Sequence, residues 1–215
     1  MAKGRESGMP DRDHWGTFFN PTCIVSRLDC AGSFDVVEFG CGYGLFTVPA
    51  AKAVTGTVYS LDIEPEMVAA TAELVARSGA LNVRVEQRDF LADGCGRPDA
   101  SAGYAMLFNI LHVEDPVALL REVYRALAPR GRAGVIHWKH DPSTPRGPSL
   151  SIRPTLEQCR AWAETSGFHF VRAEDLCCCS WHWGMVLERP AEWPHRFGSS
   201  RSTASADNAE GKHTH

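Results

Sequence analysis

Three glycines at alternate positions follow directly after an acid, where a short apolar run ends. Residues 36–44 read VVEFGCGYG, so Glu38 is followed by Gly40, Gly42 and Gly44. Glycine turns tightly and lets a ligand approach the backbone, because it has no Cβ. A strand that ends in such a loop and leads into a helix is typical of a nucleotide-binding corner. The spacing differs from the G-x-G-x-x-G of dinucleotide loops, which disfavours a nicotinamide cofactor.

Two acids stand where the next two predicted strands end. Asp62 lies 20 residues after Gly42, and Asp89 ends the following strand. An acid at the first of these positions accepts hydrogen bonds from both ribose hydroxyls in open α/β sheets, and bonds to a charged group are stronger than neutral ones. The alternatives are a helix cap for Asp62 and a solvated turn residue for Asp89.

The elements that position these residues alternate between strands and helices. Strands are predicted over residues 35–39, 57–63, 83–88, 103–110 and 133–138. Helices are predicted over residues 14–27, from the glycines to about 54, and over 65–78, 116–127 and 155–166. Two last strands, 168–173 and 180–187, are expected to form an antiparallel pair. This alternation predicts a doubly wound α/β fold.

The chain is long enough for one domain with a full hydrophobic core. It has 215 residues, and we place that domain at residues 13–194. The polar ends, residues 1–12 and 195–215, are expected to be disordered.

The order E-x-G-x-G-x-G resembles motif I of class I S-adenosylmethionine-dependent methyltransferases. Residues 38–49, 62–67, 107–112 and 127–131 are also similar to a bacterial, methyltransferase type 11-like branch of that family. The resemblance covers about residues 14–190. It implies a Rossmann-like, seven-stranded, mostly parallel sheet with a C-terminal antiparallel strand pair. It also implies transfer of a methyl group from S-adenosylmethionine to a small-molecule acceptor.

The cofactor residues expected on this basis come from the ends of the first four strands. They are Glu38, Gly40, Cys41, Gly42, Tyr43, Gly44, Asp62, Ile63, Asp89, Phe90 and Asn109. Glu38 either accepts from the cofactor ammonium or orders the loop. Ile63 is expected on the adenine face, and Asp89 and the backbone N–H of Phe90 at the adenine edge.

Acceptor-side residues should come from the ends of the fourth and fifth strands and from segments that cap them. Asn109 and His112 are the catalytic candidates, and His112 is a possible general base because histidine titrates close to neutrality. A packed or capping role for His112 is the alternative, since positioning alone supplies much of the rate of such a transfer. The substrate-binding candidates are His137, Arg146 as an anion clamp or an exposed loop residue, and Trp15 as a lid or plain packing residue.

Composition limits the range of functions. A net charge of −4 disfavours a broad nucleic-acid surface, and no run approaches the roughly 18 apolar residues of a membrane span. Without an apolar leader, we expect a cytoplasmic protein whose eight cysteines are reduced thiols. The sequence predicts no metal site and leaves the oligomeric state open.

Three functions besides small-molecule methyl transfer remain open. Residues 177–179 are three consecutive cysteines. If this run is a strand, Cys177 and Cys179 share a face, which suits methylation of a soft metalloid such as arsenite; small buried residues are the simpler interpretation. The second function is that of a non-catalytic cofactor-binding protein, and the third is that of a nicotinamide oxidoreductase.

Overall fold

A computed structural model describes residues 11–191, in which a seven-stranded sheet has the order β3-β2-β1-β4-β5-β7-β6. The strands are β1 (Val36–Phe39), β2 (Val58–Asp62), β3 (Val83–Gln87), β4 (Ala102–Phe108), β5 (Leu127–Trp138), β6 (His169–Glu174) and β7 (His182–Glu188). The helices are α1 (Arg12–Gly16), α2 (Pro21–Arg27), α3 (Thr47–Ala53), α4 (Pro65–Ser78), α5 (Pro116–Ala126) and α6 (Leu156–Thr165). The predicted disordered ends lie almost wholly outside the described residues.

The sheet has the predicted topology. Strands β1 to β5 pair in parallel, whereas β7 runs antiparallel between β5 and β6. The chain moves outward from β1 to β3, then returns to the other side of β1 as β4 and continues from there. The carboxyl ends of β1 and β4 therefore flank the point where the strand order reverses, which is where open α/β sheets bind ligands.

Local signals explain why the helix bounds match the prediction. Helix α4 begins at a proline, whose missing N–H is not needed in a first turn, and ends at Gly79 with φ +71°. Helix α6 begins with a capping box between Thr155 and Gln158. Strand β5 is longer than predicted, because Leu127 already pairs with Ala102 before the register shifts.

Two apolar layers cover the sheet. One contains side chains of the strands with those of α5 and α6, including Leu120 and Cys159. The other joins the strands to α2, α3 and the N-terminal segment, which we define as residues 11–20. None of the helices described between residues 11 and 191 has the length and apolar character needed to cross a membrane.

The N-terminal region departs from the prediction in two ways. The single helical segment predicted over residues 14–27 is two short helices, because Asn20 starts a new one by accepting the Cys23 N–H at 3.1 Å. The expectation that all cysteines are reduced is wrong. A disulfide joins Cys23 of α2 to Cys178, whose Cα lies 6.5 Å away. This bond fastens α2 to the turn before β7, residues 175–181.

Candidate active site

The glycine loop, residues 40–44, has a backbone that suits glycine. Gly40, Gly42 and Gly44 have φ values of +82°, +52° and +77°, a region that other residues enter only at a cost. A Cβ on Gly44 would lie 3.2 Å from the Cα of Thr71. The Thr71 hydroxyl also donates to the Gly42 carbonyl at 2.8 Å. The loop is therefore held close to α4, with no room for a side chain at Gly44.

Asp62 fastens the same loop to the end of β2. Its Oδ2 accepts the Gly42 N–H at 2.8 Å, and its Oδ1 accepts the Glu64 N–H at 3.1 Å. Each oxygen keeps a second lone pair for a ligand hydroxyl. Burial raises the pKa of Asp62, and the backbone donors oppose that shift. The expected helix-cap role is not seen, because the N-cap of α4 is Glu64.

Glu38 orders the start of α3. It is buried, and its Oε2 accepts from the hydroxyls of Thr47 at 2.6 Å and Ser60 at 2.7 Å. Burial raises the pKa of this carboxyl to about 7, against the effect of the two hydroxyl donors. Of the two roles predicted for Glu38, these contacts favour loop ordering over contact with a ligand ammonium.

The expected adenine side lies at the ends of β2 and β3, which pair in parallel up to Asp62 and Gln87. Asp89 organises the turn there, since its Oδ1 accepts the N–H groups of Leu91 and Ala92 at 3.2 and 3.1 Å. Phe90 is buried, and its ring meets that of Phe39 edge to face. The structure thus places the Phe90 side chain in the core.

The remaining residues expected to bind the cofactor lie beside the glycine loop or beside the ends of the strands. Ile63 is half-buried, and its carbonyl accepts from Gln87 at 3.2 Å. Cys41 is buried, which raises the pKa of its thiol, and Tyr43 is half-buried against the layer that contains α3.

Asn109 stands at the end of β4 in a conformation unusual for a residue other than glycine. Its φ is +57°, and its N–H donates to the Ile136 carbonyl at 2.9 Å. Both amide atoms of its side chain are buried, and neither has a hydrogen-bond partner among the described residues. Strain and unpaired polar atoms each cost free energy and are concentrated at functional sites. The adjacent Ile110 lies 3.4 Å from a Cβ built on Gly40, which places Asn109 close to the glycine loop.

His112 and His137 come together although 25 residues separate them. Nδ1 of His112 lies 3.3 Å from Nε2 of His137, and both side chains are buried. Burial and the neighbouring His112 hold the pKa of His137 well below its ordinary value. His137 is therefore kept neutral beside His112, and the ring of Trp183 stacks beside it.

The N-terminal segment covers the end of β5. The rings of Trp15, Phe18 and Phe19 lie 6.0, 5.3 and 6.3 Å from that of Trp138. Phe19 also meets Phe46, the residue that precedes α3, at 5.3 Å. Trp15 is thus packed, and the segment that carries it extends from the acceptor side to the cofactor loop.

The loop after β5 is held by Arg153, and Arg146 is the exposed residue that one of its two predicted roles requires. The side chain of Arg146 is exposed, whereas Arg153 is buried. The guanidinium of Arg153 donates to the carbonyls of Lys139, Arg146 and Pro148 and to the Thr144 hydroxyl. A proline-rich loop has carbonyls that need donors, and this is the sequence signal that points to Arg153.

The cysteine run does not form the predicted face. Residues 177–179 lie in a turn, in which Cys177 is exposed, Cys178 is bonded to Cys23 and Cys179 is buried. Within residues 11–191, no three His, Cys, Asp or Glu side chains are grouped to hold a metal ion. These positions give no support to a metalloid site made by Cys177 and Cys179.

Comparison with known proteins gives a consistent result. Residues 36–131 match a family model described as a methyltransferase domain. The chain is 35% identical over 116 residues to a ubiquinone biosynthesis O-methyltransferase of Xanthomonas oryzae, which covers 51% of this chain and 44% of that protein. It is 27% identical over 174 residues to phosphoethanolamine N-methyltransferase 1 of Triticum aestivum, and this alignment covers 74% of this chain and 33% of that protein. The chain thus spans less than half the length of both relatives.

Solved structures share the fold at low identity. A SAM-dependent methyltransferase from Aquifex aeolicus aligns with a TM-score of 0.73 at 21% identity, covering 83% of this chain and 94% of that one. The [4+2]-cyclase SpnF aligns with a TM-score of 0.70 at 15% identity, covering 88% of this chain and 87% of that one. In its matched domain model, its strand order and its glycine loop, the chain is similar to S-adenosylmethionine-dependent methyltransferases.

Proposed function

We propose that this protein transfers a methyl group from S-adenosylmethionine to a small molecule. The observation that carries the proposal is the glycine loop tied to Asp62 beside the unpaired amide of Asn109. The match of residues 36–131 to a methyltransferase domain supports it. The relatives' names span a quinone precursor pathway and phosphoethanolamine, so they do not select an acceptor.

The residues at this edge fit the proposed cofactor. The loop packs so closely on Thr71 that there is no room for a Cβ on Gly44, and the Asp62 oxygens retain lone pairs for ribose hydroxyls. The Asn109 amide offers both a donor and an acceptor that lack partners in the described structure. When bound, S-adenosylmethionine supplies an electrophilic methyl group on a sulfonium.

The chain's own part in the reaction is to orient the acceptor and to receive its proton. A neutral His137 can accept a hydrogen bond from His112 Nδ1–H through its Nε2. In that tautomer the His112 ring is the base that takes the acceptor's proton. In this proposal Asn109 and His112 are the catalytic residues, and His137 is a positioning residue.

Two competing functions predict different results. The first is a non-catalytic cofactor-binding protein, which would bind S-adenosylmethionine without turnover. The similarity to a [4+2]-cyclase shows that this fold also carries a reaction other than methyl transfer. A nicotinamide enzyme would bind NADH, which the glycine spacing disfavours.

The test is a calorimetric titration of the purified chain with S-adenosylmethionine, S-adenosylhomocysteine and NADH. We expect micromolar binding of the first two and none of NADH. Binding of NADH alone, or of none of the three, would contradict the proposal. Mass spectrometry of acceptor mixtures incubated with methyl-labelled S-adenosylmethionine then separates turnover from binding alone.

A further inference from the structure

Unpaired polar groups are concentrated at one end of the sheet. Within residues 11–191, seven residues have a buried side-chain nitrogen or oxygen without a hydrogen-bond partner, and five of them lie together at the ends of adjacent strands. They are Asn109, His137, Trp138, His182 and Trp183. Asn109 follows β4, whereas His137 pairs with Trp183 and Trp138 with His182 across β5 and β7, on opposite faces of the sheet. A buried polar group without a partner costs free energy, so Trp138 and His182, which face the N-terminal segment, indicate a site there for a ligand's polar atoms.

The cluster is rich in donors and lies in a positive environment. An indole N–H only donates, which makes Trp138 a fixed donor on this face. The pKa of His182 is lowered to about 3, mainly by burial and also by the charges of Arg153 and Lys139. Arg153 also lowers the pKa of His137. Cations at these strand ends disfavour a positively charged ligand and favour one with acceptor oxygens.

Aromatic rings form the walls of this region. Trp138 lies against His182 at 4.2 Å between ring centroids, and Phe19 covers His182 at 4.6 Å. Gly147, with φ +106°, brings the loop backbone so close to Trp138 that a Cβ there would lie 2.7 Å from the indole ring. Flat rings on several sides suit a planar ligand, which stacks on them.

The N-terminal segment closes the region. Phe18 and Phe19 cover Trp138, and the Cys179 thiol lies 3.0 Å from the Phe18 carbonyl. Phe46 meets both Phe19 and Phe108, so the cover also contacts the residue that precedes α3, just after the cofactor loop. A ligand reaches the unpaired donors only when this segment moves outward.

We propose that the acceptor is a planar aromatic molecule with hydroxyl groups, neutral or anionic, bound between the N-terminal segment and the ends of β4, β5 and β7. The inference rests on the proposed methyl transfer. A hydroxyl oxygen attacks the methyl carbon, so that an O–CH3 bond forms as the S–CH3 bond breaks. The products are a methyl ether and S-adenosylhomocysteine, and the hydroxyl proton passes to His112.

A matched pair of probes tests the charge and the ring together. 3,4-Dihydroxyphenylacetate and dopamine share a catechol ring and differ in a carboxylate against an ammonium. Each is titrated by calorimetry into protein saturated with S-adenosylhomocysteine and then assayed for methoxy products with S-adenosylmethionine. We expect the acid to bind at least about tenfold more tightly, the effect of a charge near partly buried cations, and to yield a methoxy product.

Two variants locate the binding. Trp138→Phe keeps a ring and removes the donor, so the affinity for the acid should fall about three- to tenfold, the range of one neutral hydrogen bond. Trp162→Phe in α6 is the control, because Trp162 packs against the opposite core layer, and it should leave the affinity unchanged. Binding of S-adenosylhomocysteine should stay within about twofold in both variants.

The outcomes separate the two proposals. Tighter binding of dopamine, or no binding of either catechol by protein that still binds S-adenosylhomocysteine, overturns the acceptor inference alone. An unchanged affinity in Trp138→Phe overturns the placement of the site. A chain that does not bind S-adenosylhomocysteine overturns the proposed function itself.

Discussion

The two halves of the site differ in how their polar groups are partnered. The cofactor side lies at the ends of β1 and β2, and the acceptor side lies at the ends of β4, β5 and β7. On the cofactor side, both oxygens of Asp62 accept backbone N–H groups, and Glu38 accepts two hydroxyls. On the acceptor side, the amide of Asn109 and the indole N–H of Trp138 lack partners in the described structure. The first region is organised before a ligand arrives, whereas the second keeps its hydrogen-bonding capacity for one.

The largest effect should come from displacing the glycine loop from α4. Gly44→Ala puts a Cβ at 3.1–3.2 Å from Thr71 and forces alanine to φ +77°. The loop must then move away from Asp62, so we expect more than about a hundredfold loss of S-adenosylhomocysteine affinity, the scale of a few kcal/mol of strain. Calorimetric titration with S-adenosylhomocysteine measures this loss of affinity.

Gly79→Ala is the matched control, since Gly79 has φ +71° but no atom within 4 Å of the added Cβ. It should lower the free energy of unfolding by about 1 kcal/mol and leave the affinity unchanged. Equal affinities in Gly44→Ala and wild type would show that the loop does not form the cofactor site.

Glu38 gives the cofactor side a pH dependence. Its pKa is raised from an ordinary value of 4.5 to about 7, mainly by burial. Between these two values the folded state keeps a proton that the unfolded chain loses, so the stability falls as the pH rises from 4.5 to 7. The loss is of the order of 3 kcal/mol.

Glu38→Gln removes this titration while keeping the shape of the side chain. The difference in thermal midpoint between the variant and the wild type should therefore favour the variant more at pH 8 than at pH 5. A constant difference across this range would mean that Glu38 does not change its charge there.

The sequence is more informative about the first region than about the second. The glycine spacing and the acid at the end of β2 are local patterns whose partners lie in the next strand or helix. The packing of Trp138 against Phe18, by contrast, joins residues 120 positions apart, and no periodicity reveals it. The same holds for Cys23 and Cys178, which the sequence predicts as free thiols because nothing local brings them together.

One further departure and one alternative that the sequence leaves open have similar physical causes. The metalloid hypothesis requires a strand at residues 177–179, so it applies the alternation of strand faces to what is a turn. For Arg146 the sequence leaves open an anion clamp or an exposed loop residue, and the structure has it exposed, whereas Arg153 is buried and makes the loop contacts. Which of two loop cations is buried depends on how the loop closes, and the composition of the loop does not determine this.

Asp62 should show an intermediate effect. Asp62→Asn keeps the size of the side chain but places an NH2 group against the N–H of Gly42 or Glu64, and it removes a charged acceptor for ribose. We expect S-adenosylhomocysteine binding to weaken by about 1.5–3 kcal/mol, the scale of a bond to a charged group. Asp93→Asn, at an exposed position, is the control for the loss of one charge. Unchanged affinity would remove Asp62 from the ribose role.

The smallest effect on stability should come from the acceptor side, although the effect on function there is large. Asn109→Gly removes an amide that has no partner in the described residues and relieves a φ of +57°. Because glycine also makes the unfolded chain more flexible, the free energy of unfolding should change by less than about 1 kcal/mol, while methyl transfer falls.

Asn82→Gly is the control at an asparagine whose amide is hydrogen-bonded. The Nδ2 of Asn82 donates to the carbonyls of Ala51, Val54 and Gly56 at 3.0, 3.3 and 2.9 Å. Its loss should cost about 2–3 kcal/mol by leaving those carbonyls unpaired. Urea denaturation measures both variants. If Asn109→Gly were as destabilising as Asn82→Gly, the Asn109 amide would be serving the fold, and the contrast between the two regions would no longer hold.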